Sequence, residues 1–540
     1  MTTNTVDSTP CVASEAFNIA DMLTPAAYRH PVNRLRVCET NISWVILTDA
    51  FAYKIKKSVR LDFLDASTLT KRHHLCDEEL RLNRRLSGNL YLDVIPITRE
   101  AGGLHVGGDG VIVEYVVRMR QFDSTQELSA LLERGDVTQE EIVDLAQRLA
   151  RFHESLPMAT FDINFPHTTN LHDAVLGNLA TLLCHLDAGT AVPELGFLID
   201  WTHDYLHDSL PQLRMREQCG AIRECHGDLH ARNIVRWCGR LIPFDCLEFE
   251  PKLRWIDVMN DVAFLVMDFT AHGRKDLAFA FLNAYLECTG DYDGVRQLSF
   301  YSVYRALVRA MVDGLQAEGD SARRLEFQNR LRMRIKAATE YATRRAPTLF
   351  IMHGPSGSGK SWLSERLVPL FGALRIRSDV ERKRLGGSVS TAVVHETGFE
   401  QGLYEPEMTR RTYARLLECA EDCLKGGVDV IVDAAFLKSE DRRMFRDLAL
   451  RERARFIILV CEADPVALTR RVRLRAESGA GPSDADIEVL NRQLQIQERL
   501  SPDEQLHTIN VDTTQSSVCE MAVAAIRDHL SPMSLRLPAA

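Results

Sequence analysis

At 540 residues the chain is too long for a single hydrophobic core, so two or three domains are expected. A hydrophobic share of 45% is ordinary for a globular protein, and a formal net charge of −10 argues against a general binder of nucleic acid or of membrane surfaces. No apolar run approaches the ~18–20 residues of a membrane span. The opening stretch has neither the basic start nor the apolar core of a secretion signal, and residues 1–30 read as a flexible tail. The 13 cysteines are scattered without a C-x-x-C, and Cys419 and Cys423, four apart in a helical stretch, are expected to pack. The expectation is a reduced, cytoplasmic chain without structural disulfides.

Strands are predicted at 34–38, 43–47 and 51–55, the last two joined by a turn at 48–50. Lys54 stands on the third strand among apolar neighbours; taken alone it reads equally well as a surface lysine beside Lys56 and Lys57. A helix is predicted over 67–86. It carries Glu79 next to Glu78, where a solvated face is the simpler reading. A strand follows at 111–117, then a helical region from about 138 to 220, clearest at 141–156 and at 197–210, after which Pro211 breaks it.

Next comes CHGDLHARNI at 225–234, then LIPFD at 241–245. Asp228 lies five residues before Asn233, in a loop entering a β segment, and Asp245 closes the next β segment. A phosphoryl-transfer loop needs this spacing: one Asp accepts the proton of an acceptor hydroxyl, while the Asn and the second Asp hold Mg²⁺ at the phosphates. Asp257 and Asp261 follow on a predicted helix, as a brace for this loop or as capping and surface charges. Helices over 295–345 end before Pro347, the expected domain boundary.

The stretch TLFIMHGPSGSGKS at 348–361 joins an apolar strand to a helix through a G-x-x-x-x-G-K-S loop. The loop comprises Gly354, Pro355, Ser356, Gly357, Ser358, Gly359, Lys360 and Ser361. Its glycines let backbone N–H groups turn toward phosphate oxygens, the helix start adds a positive dipole end, Lys360 adds a mobile cation and Ser361 a hydroxyl for Mg²⁺. Further strands at 374–377, 428–433, 456–460 and 508–511 alternate with helices such as 407–425, which predicts a doubly wound parallel sheet. Asp433 ends an apolar strand and suits the task of holding Mg²⁺ through water; Ala434 follows it, where mechanical ATPases usually need a Glu.

The line His226-Gly-Asp-…-Asn233 with Asp245 resembles the aminoglycoside phosphotransferase branch of the protein-kinase-like fold, over roughly residues 35–315. The resemblance implies that Lys54 contacts the α/β-phosphates, that Glu79 pairs with Lys54, and that 113–119 form the adenine-contacting hinge. Two departures stand out: the loop over the phosphates, 40–43, has no glycine, and Asp245 is followed by Cys-Leu rather than Phe-Gly. The D-x-x-R of Asp379 and Arg382 is similar to that of phosphate-loop small-molecule and polynucleotide 5′-kinases. In those enzymes the Asp deprotonates the acceptor hydroxyl and the Arg orients the substrate. The alternative is a helix cap at Asp379. Such kinases also carry a lid whose arginines close on the phosphoryl group. Arg471 and Arg475, in a run with Arg470 and Arg473, fit that role or form a solvated basic face, and 479–482 would be the lid turn.

Taken whole, the chain resembles bacterial bifunctional proteins that join an aminoglycoside phosphotransferase-like domain to a phosphate-loop (AAA-type, polynucleotide-kinase-like) ATP-binding domain. The resemblance implies a kinase-like domain at 31–345 and a phosphate-loop domain at 346–533. It further implies ATP and Mg²⁺ at two nucleotide sites and a small-molecule hydroxyl as acceptor, without a membrane or nucleic-acid partner. The other readings are a nucleotide-sensing regulator with slow ATPase activity and a polynucleotide 5′-hydroxyl kinase. The acceptor pockets are expected within 155–217 and 386–405.

Overall fold

The structure, a computed structural model, describes residues 17–61, 64–159, 167–185, 193–319, 324–343, 345–387, 406–478, 487–515 and 517–531. The chain forms two compact units. One holds the described residues through Glu127 with His226–Asp228 and Asn233–Arg254; the other holds Leu128–Cys225, Leu229–Arg232 and the chain from Trp255 on.

The first unit is built on an antiparallel sheet of six strands, in the order Arg36–Glu39, Ser43–Leu47, Phe51–Lys56, Val111–Arg120, Tyr91–Glu100, Gly103–Val106. Alternate residues Tyr53 and Ile55 face one core with Ile46, Ile97 and Val116. Met22, Ala27 and Tyr28 join that core, so residues 17–30, expected in a tail, are packed against the sheet. Helix Leu69–Ser87 starts at Thr68, whose hydroxyl accepts from Lys71 N, and buries Cys76 with Tyr91, Val117 and Val235. The strands Tyr91–Glu100 and Gly103–Val106 were not predicted. Pro96 lies inside the first, and register shifts at Tyr91/Asp93 and Ile97/Thr98 break the alternation that marks a strand. Hairpin Ile234–Trp237 and Arg240–Pro243 carries the chain toward Asp245.

The second unit begins with helices. Gln139–Ser155 has the capping box of Thr138 and Glu141, and a short helix Leu128–Glu133 precedes the predicted start of this region. Pro211 is the second residue of a new helix, Leu210–Gln218, where a missing N–H costs nothing. Helices Val258–Ala271, Lys275–Thr289, Leu298–Gly319 and Arg324–Ala342 follow. Then comes a five-stranded parallel sheet in the order Ala373–Arg377, Asp429–Asp433, Thr348–His353, Arg455–Glu462, Thr508–Asp512. Its central strand Thr348–His353 is buried along its whole length, which explains its unbroken apolar run. The fold is therefore a kinase-like antiparallel sheet followed by helices, then a phosphate-loop parallel sheet.

Strand Ala373–Arg377 is the edge of that sheet, and a side chain occupies the edge. Asn283 Oδ1 accepts from Arg375 N at 2.6 Å while its Nδ2 donates to Ala373 O at 3.0 Å, which fixes helix Lys275–Thr289 against the strand. The described cysteines are all free, with Cys419 and Cys423 buried. Among the described residues no helix is long and apolar enough to cross a membrane.

Candidate active sites

In the kinase-like unit the period-2 strand Phe51–Lys56 that sends Tyr53 and Ile55 into the core sends Lys54 and Lys56 to the other face. There they form a ladder of alternating charge. Asp245 Oδ1 accepts from Lys54 Nζ at 2.5 Å, Lys54 also donates to Glu79 at 2.8 Å, Glu79 pairs with Lys56, and Lys56 with Glu248. Glu79 is fully buried, and Lys54 and Lys56 nearly so, which is tolerable only because each charge is paired. Burial works against the charge on Lys54, but Asp245, Glu79 and Glu248 outweigh it and hold the amine above the ordinary lysine range. Burial likewise pushes Glu79 up, and Lys54 and Lys56 pull it below the carboxylate range. Lys56 and Glu248 were not predicted. The signal was present: Lys56 shares the face of Lys54, and Glu248 lies three residues after Asp245.

Asp245 sits in the left-handed region at φ +62, tolerable for Asp, and its N–H donates to Tyr91 OH at 3.2 Å. The next residue, Cys246, is buried, with its N–H on Asn83 Oδ1 at 2.9 Å; a small side chain fills the place expected of a Phe. Asn233 Nδ2 donates to both the carbonyl and the carboxylate of Asp228 at 3.0 Å, and Asn233 O accepts from Phe244 N at 2.9 Å, which ties the loop to the residue before Asp245. His226 bridges Phe244 O and Asp228 N. Gly227 has φ +85, and a Cβ there would stand 3.0 Å from Leu253 O, so the turn before Asp228 requires glycine. The glycine-free loop 40–43 is closed by a side chain instead: Ser43 N donates to Thr40 Oγ1 and Thr40 N to Ser43 O, both at 2.9 Å.

Residues 229–232 belong to the second unit, where Ala231 N donates to Asp268 Oδ2 at 2.8 Å and His230 meets Arg309 at 3.2 Å. Asp268 was not singled out by the sequence. Asp257 caps helix Val258–Ala271 and pairs with Arg216, and Asp261 lies 3.4 Å from His153.

The phosphate-loop site lies wholly in the second unit. Lys360, Ser361, Asp379, Arg382, Asp433 and Arg471, from four separate elements, line one cleft of about 330 Å³. Gly354, Gly357 and Gly359 have φ of +141, +82 and +90, and Gly359 is the N-cap of helix Lys360–Phe371, whose first turn thus opens onto the loop. Lys360 Nζ donates to Pro355 O across the loop at 2.8 Å. Asp433 ends its strand with Oδ2 accepting from Ser364 Oγ at 3.1 Å; its carboxylate and the Ser361 hydroxyl are the hard oxygen donors that Mg²⁺ takes, so the residues fit that ion.

Asp379 stands in the first turn of helix Ser378–Leu385, not at its cap, which is Arg377. Its Oδ2 accepts from Arg377 Nη2 at 2.9 Å and its Oδ1 from Val380 N at 3.0 Å. Arg471 is engaged by the loop itself, donating to Gly357 O at 3.1 Å and to Thr513 Oγ1 and O at 2.9 and 2.8 Å. Arg470 and Arg473 are exposed. The side chain of Arg475, the turn 479–482, residues 388–405 and parts of 155–217 lie outside the described residues. Gln493, which no motif marks, accepts at its Oε1 from Ser356 N at 2.7 Å. A second cavity of about 550 Å³ adjoins the loop, between Pro355, Val460, Leu468, Leu494 and Thr514.

Together these features define a two-domain chain of nucleotide-handling folds, kinase-like at its N-terminal end and of the phosphate-loop type at its C-terminal end. Residues 349–500 match the family model described as AAA domain. Over 474 residues the chain is 30% identical to the uncharacterized protein Rv2004c of Mycobacterium tuberculosis (strain ATCC 25618 / H37Rv), covering 85% of this chain and 90% of the relative. The uncharacterized protein Mb2027c of Mycobacterium bovis matches to the same extent. The chain belongs to the family of these mycobacterial proteins. Solved structures are similar only distantly: a gluconokinase from Sinorhizobium meliloti 1021 (21% identity, 34% of this chain and 94% of that one, TM-score 0.25) and a choline kinase from Cryptosporidium parvum Iowa II (10%, 65% and 98%, TM-score 0.38).

Proposed function

We propose that the chain is an ATP- and Mg²⁺-dependent phosphotransferase with two nucleotide sites, moving the γ-phosphoryl group to hydroxyl groups of small molecules in the cytoplasm. The observation that carries this reading is the meeting of Lys360, Ser361, Asp379, Arg382 and Asp433 in one cleft. In the kinase-like domain, proposed at 31–345, Lys54, held by Glu79, meets the nucleotide phosphates. Asp228 accepts the proton of the acceptor hydroxyl. In the phosphate-loop domain, proposed at 346–533, the loop and Lys360 hold the phosphates, Asp379 is the base and Arg382 orients the acceptor; Arg471 backs the loop. Mg²⁺, when bound, neutralises charge on the phosphates; Asn233 and Asp245 would hold it in one site, Ser361 and Asp433 in the other.

One observation favours a second reading, a nucleotide-sensing regulator with slow turnover. Two groups that would meet phosphate are engaged by the protein: Ser356 N by Gln493 and Lys360 by Pro355 O. The test is ADP release by the full chain with Mg²⁺-ATP and, in turn, sugars, nucleosides, aminoglycosides and 5′-hydroxyl oligonucleotides. Asp228→Asn and Lys360→Ala apportion the activity between the sites. Acceptor-stimulated release supports the phosphotransferase; slow release that no acceptor raises supports the regulator.

A further inference from the structure

Helix Lys275–Thr289, from the helices that follow the catalytic loop, touches the phosphate-loop site through one carboxylate. Glu287 Oε1 accepts from Arg375 Nη2 at 3.1 Å and its Oε2 from Arg377 Nη1 at 3.5 Å. The other terminal amine of Arg377 holds Asp379 Oδ2, at 2.9 Å, while Val380 N holds its Oδ1. One guanidinium thus spans two carboxylates, one on each side of the expected domain boundary. All three side chains are largely shielded: Arg377 is 16% exposed, Glu287 22% and Asp379 23%.

The span is fixed at both ends. Asn283, one helical turn before Glu287, is bonded to the edge strand that ends in Arg377. Arg384, on the helix that carries Asp379, donates to Glu287 O at 2.7 Å. A guanidinium held by a single carboxylate can pivot about that contact; held on both terminal amines, its plane is set. Burial disfavours the charge on Arg377, and Asp379 and Glu287 together more than restore it.

We propose that Glu287 is a positioning residue for the phosphate-loop site: through Arg377 it sets the orientation of Asp379, so that a helix of the kinase-like half completes the catalytic carboxylate of the other half. This rests on the reading of Asp379 as the base. Removing Glu287 leaves Arg377 and Asp379 in place but free to turn, and misplacement of a reacting group by about 1 Å costs up to ~10²-fold. The loss falls on kcat, because the loop and Lys360 that hold the nucleotide are untouched.

The test uses the full chain, Mg²⁺-ATP and the pooled acceptors named above. Glu287→Ala is expected to lower the Lys360-dependent kcat about 10-fold or more, with the KM for ATP within about twofold, and Glu287→Gln, which keeps an acceptor oxygen, to recover part of it. Asn283→Ala loosens the same helix–strand contact without touching Arg377; it should lower the melting temperature and cost kcat clearly less than Glu287→Ala does. If Asp379→Asn lowers kcat and Glu287→Ala does not, the proposal falls while the base reading stands; if Asp379→Asn itself leaves kcat, the base reading falls. An equal loss from Asn283→Ala would make the effect one of packing and overturn the proposal. A double-mutant cycle of Glu287→Ala and Asp379→Ala, read by thermal melting, checks the link without turnover: non-additive shifts support it and additive shifts contradict it.

Discussion

The two candidate sites are assembled in opposite ways. In the kinase-like unit, Lys54, Lys56, Glu79, Asp245 and Glu248 come from three distant stretches of chain and are locked to one another by ion pairs that are buried except at Asp245. In the phosphate-loop site one contiguous loop and the ends of parallel strands surround an open cleft, and two polar groups of the loop, Ser356 N and Lys360 Nζ, rest on the protein's own oxygens. The first is ordered by charge pairing and is costly to disturb. The second is ordered by backbone and is cheap to rearrange. Substitutions at Lys56, Glu79 or Glu248 should therefore act mainly on stability, and those around the open cleft mainly on ligand affinity or turnover.

The largest effects should be catalytic. Asp228→Asn should cut transfer by the kinase-like site ~10²–10⁴-fold, the usual worth of a general base. Lys360→Ala should cut that of the phosphate-loop site ~10²–10³-fold, the scale of losing one preorganised charge-stabilising group. Each is read by steady-state ADP release from the full chain, and each should leave the other site's share intact.

Next in size, Lys56→Ala should destabilise the kinase-like unit by ~3–5 kcal/mol, since it leaves Glu248 buried without its pair and Glu79 with Lys54 alone. Denaturant unfolding measures this, and a loss under about 1 kcal/mol would mean that the ladder is solvated. A smaller effect is expected at Gln493→Ala. It frees Ser356 N for phosphate, so ATP affinity should rise ~2–10-fold, the worth of one net hydrogen bond. A weaker affinity, by fluorescence titration, would make Gln493 a ligand contact rather than a competitor.

The smallest contrast is in pH. Asp441 is pushed up to about 6, first by burial, so its folded form binds a proton more tightly than the unfolded chain does. Stability of the phosphate-loop half should rise as pH falls from about 7 toward 4, by about 1 kcal/mol after allowance for partial exposure, and Asp441→Asn should flatten that slope. Glu79 has the opposite sign: its folded pKa is lowered against burial by Lys54 and Lys56, so its contribution is lost only as pH falls below the ordinary Glu range. Thermal melts across pH 2–8 separate the two.

The same contrast explains what was legible. The phosphate loop, the strand-end Asp433 and Asp379 were readable because a local stretch carries all of their geometry. The apolar run 349–352 declared a buried strand for the same reason. Asp228, Asn233 and Asp245 were readable as a spacing. The ladder was half read: Lys54 and Glu79 came from resemblance, while Lys56 and Glu248 needed the register of a strand against a helix and a turn. The pair Tyr91–Glu100 and Gly103–Val106 was missed because Pro96 and its neighbouring bulges disguise a strand whose partners lie on either side in space. Glu287 and Gln493 could not be read at all, since each meets its partner only through tertiary packing about 90 or more residues away.

Calorimetric titration of the full chain with a non-hydrolysable ATP analogue and Mg²⁺ distinguishes two nucleotide sites from one. Two equivalents are expected to bind to the native chain, and one to each of Lys360→Ala and Asp245→Asn. A single equivalent on the native chain, or two retained by Lys360→Ala, would contradict the two-site reading.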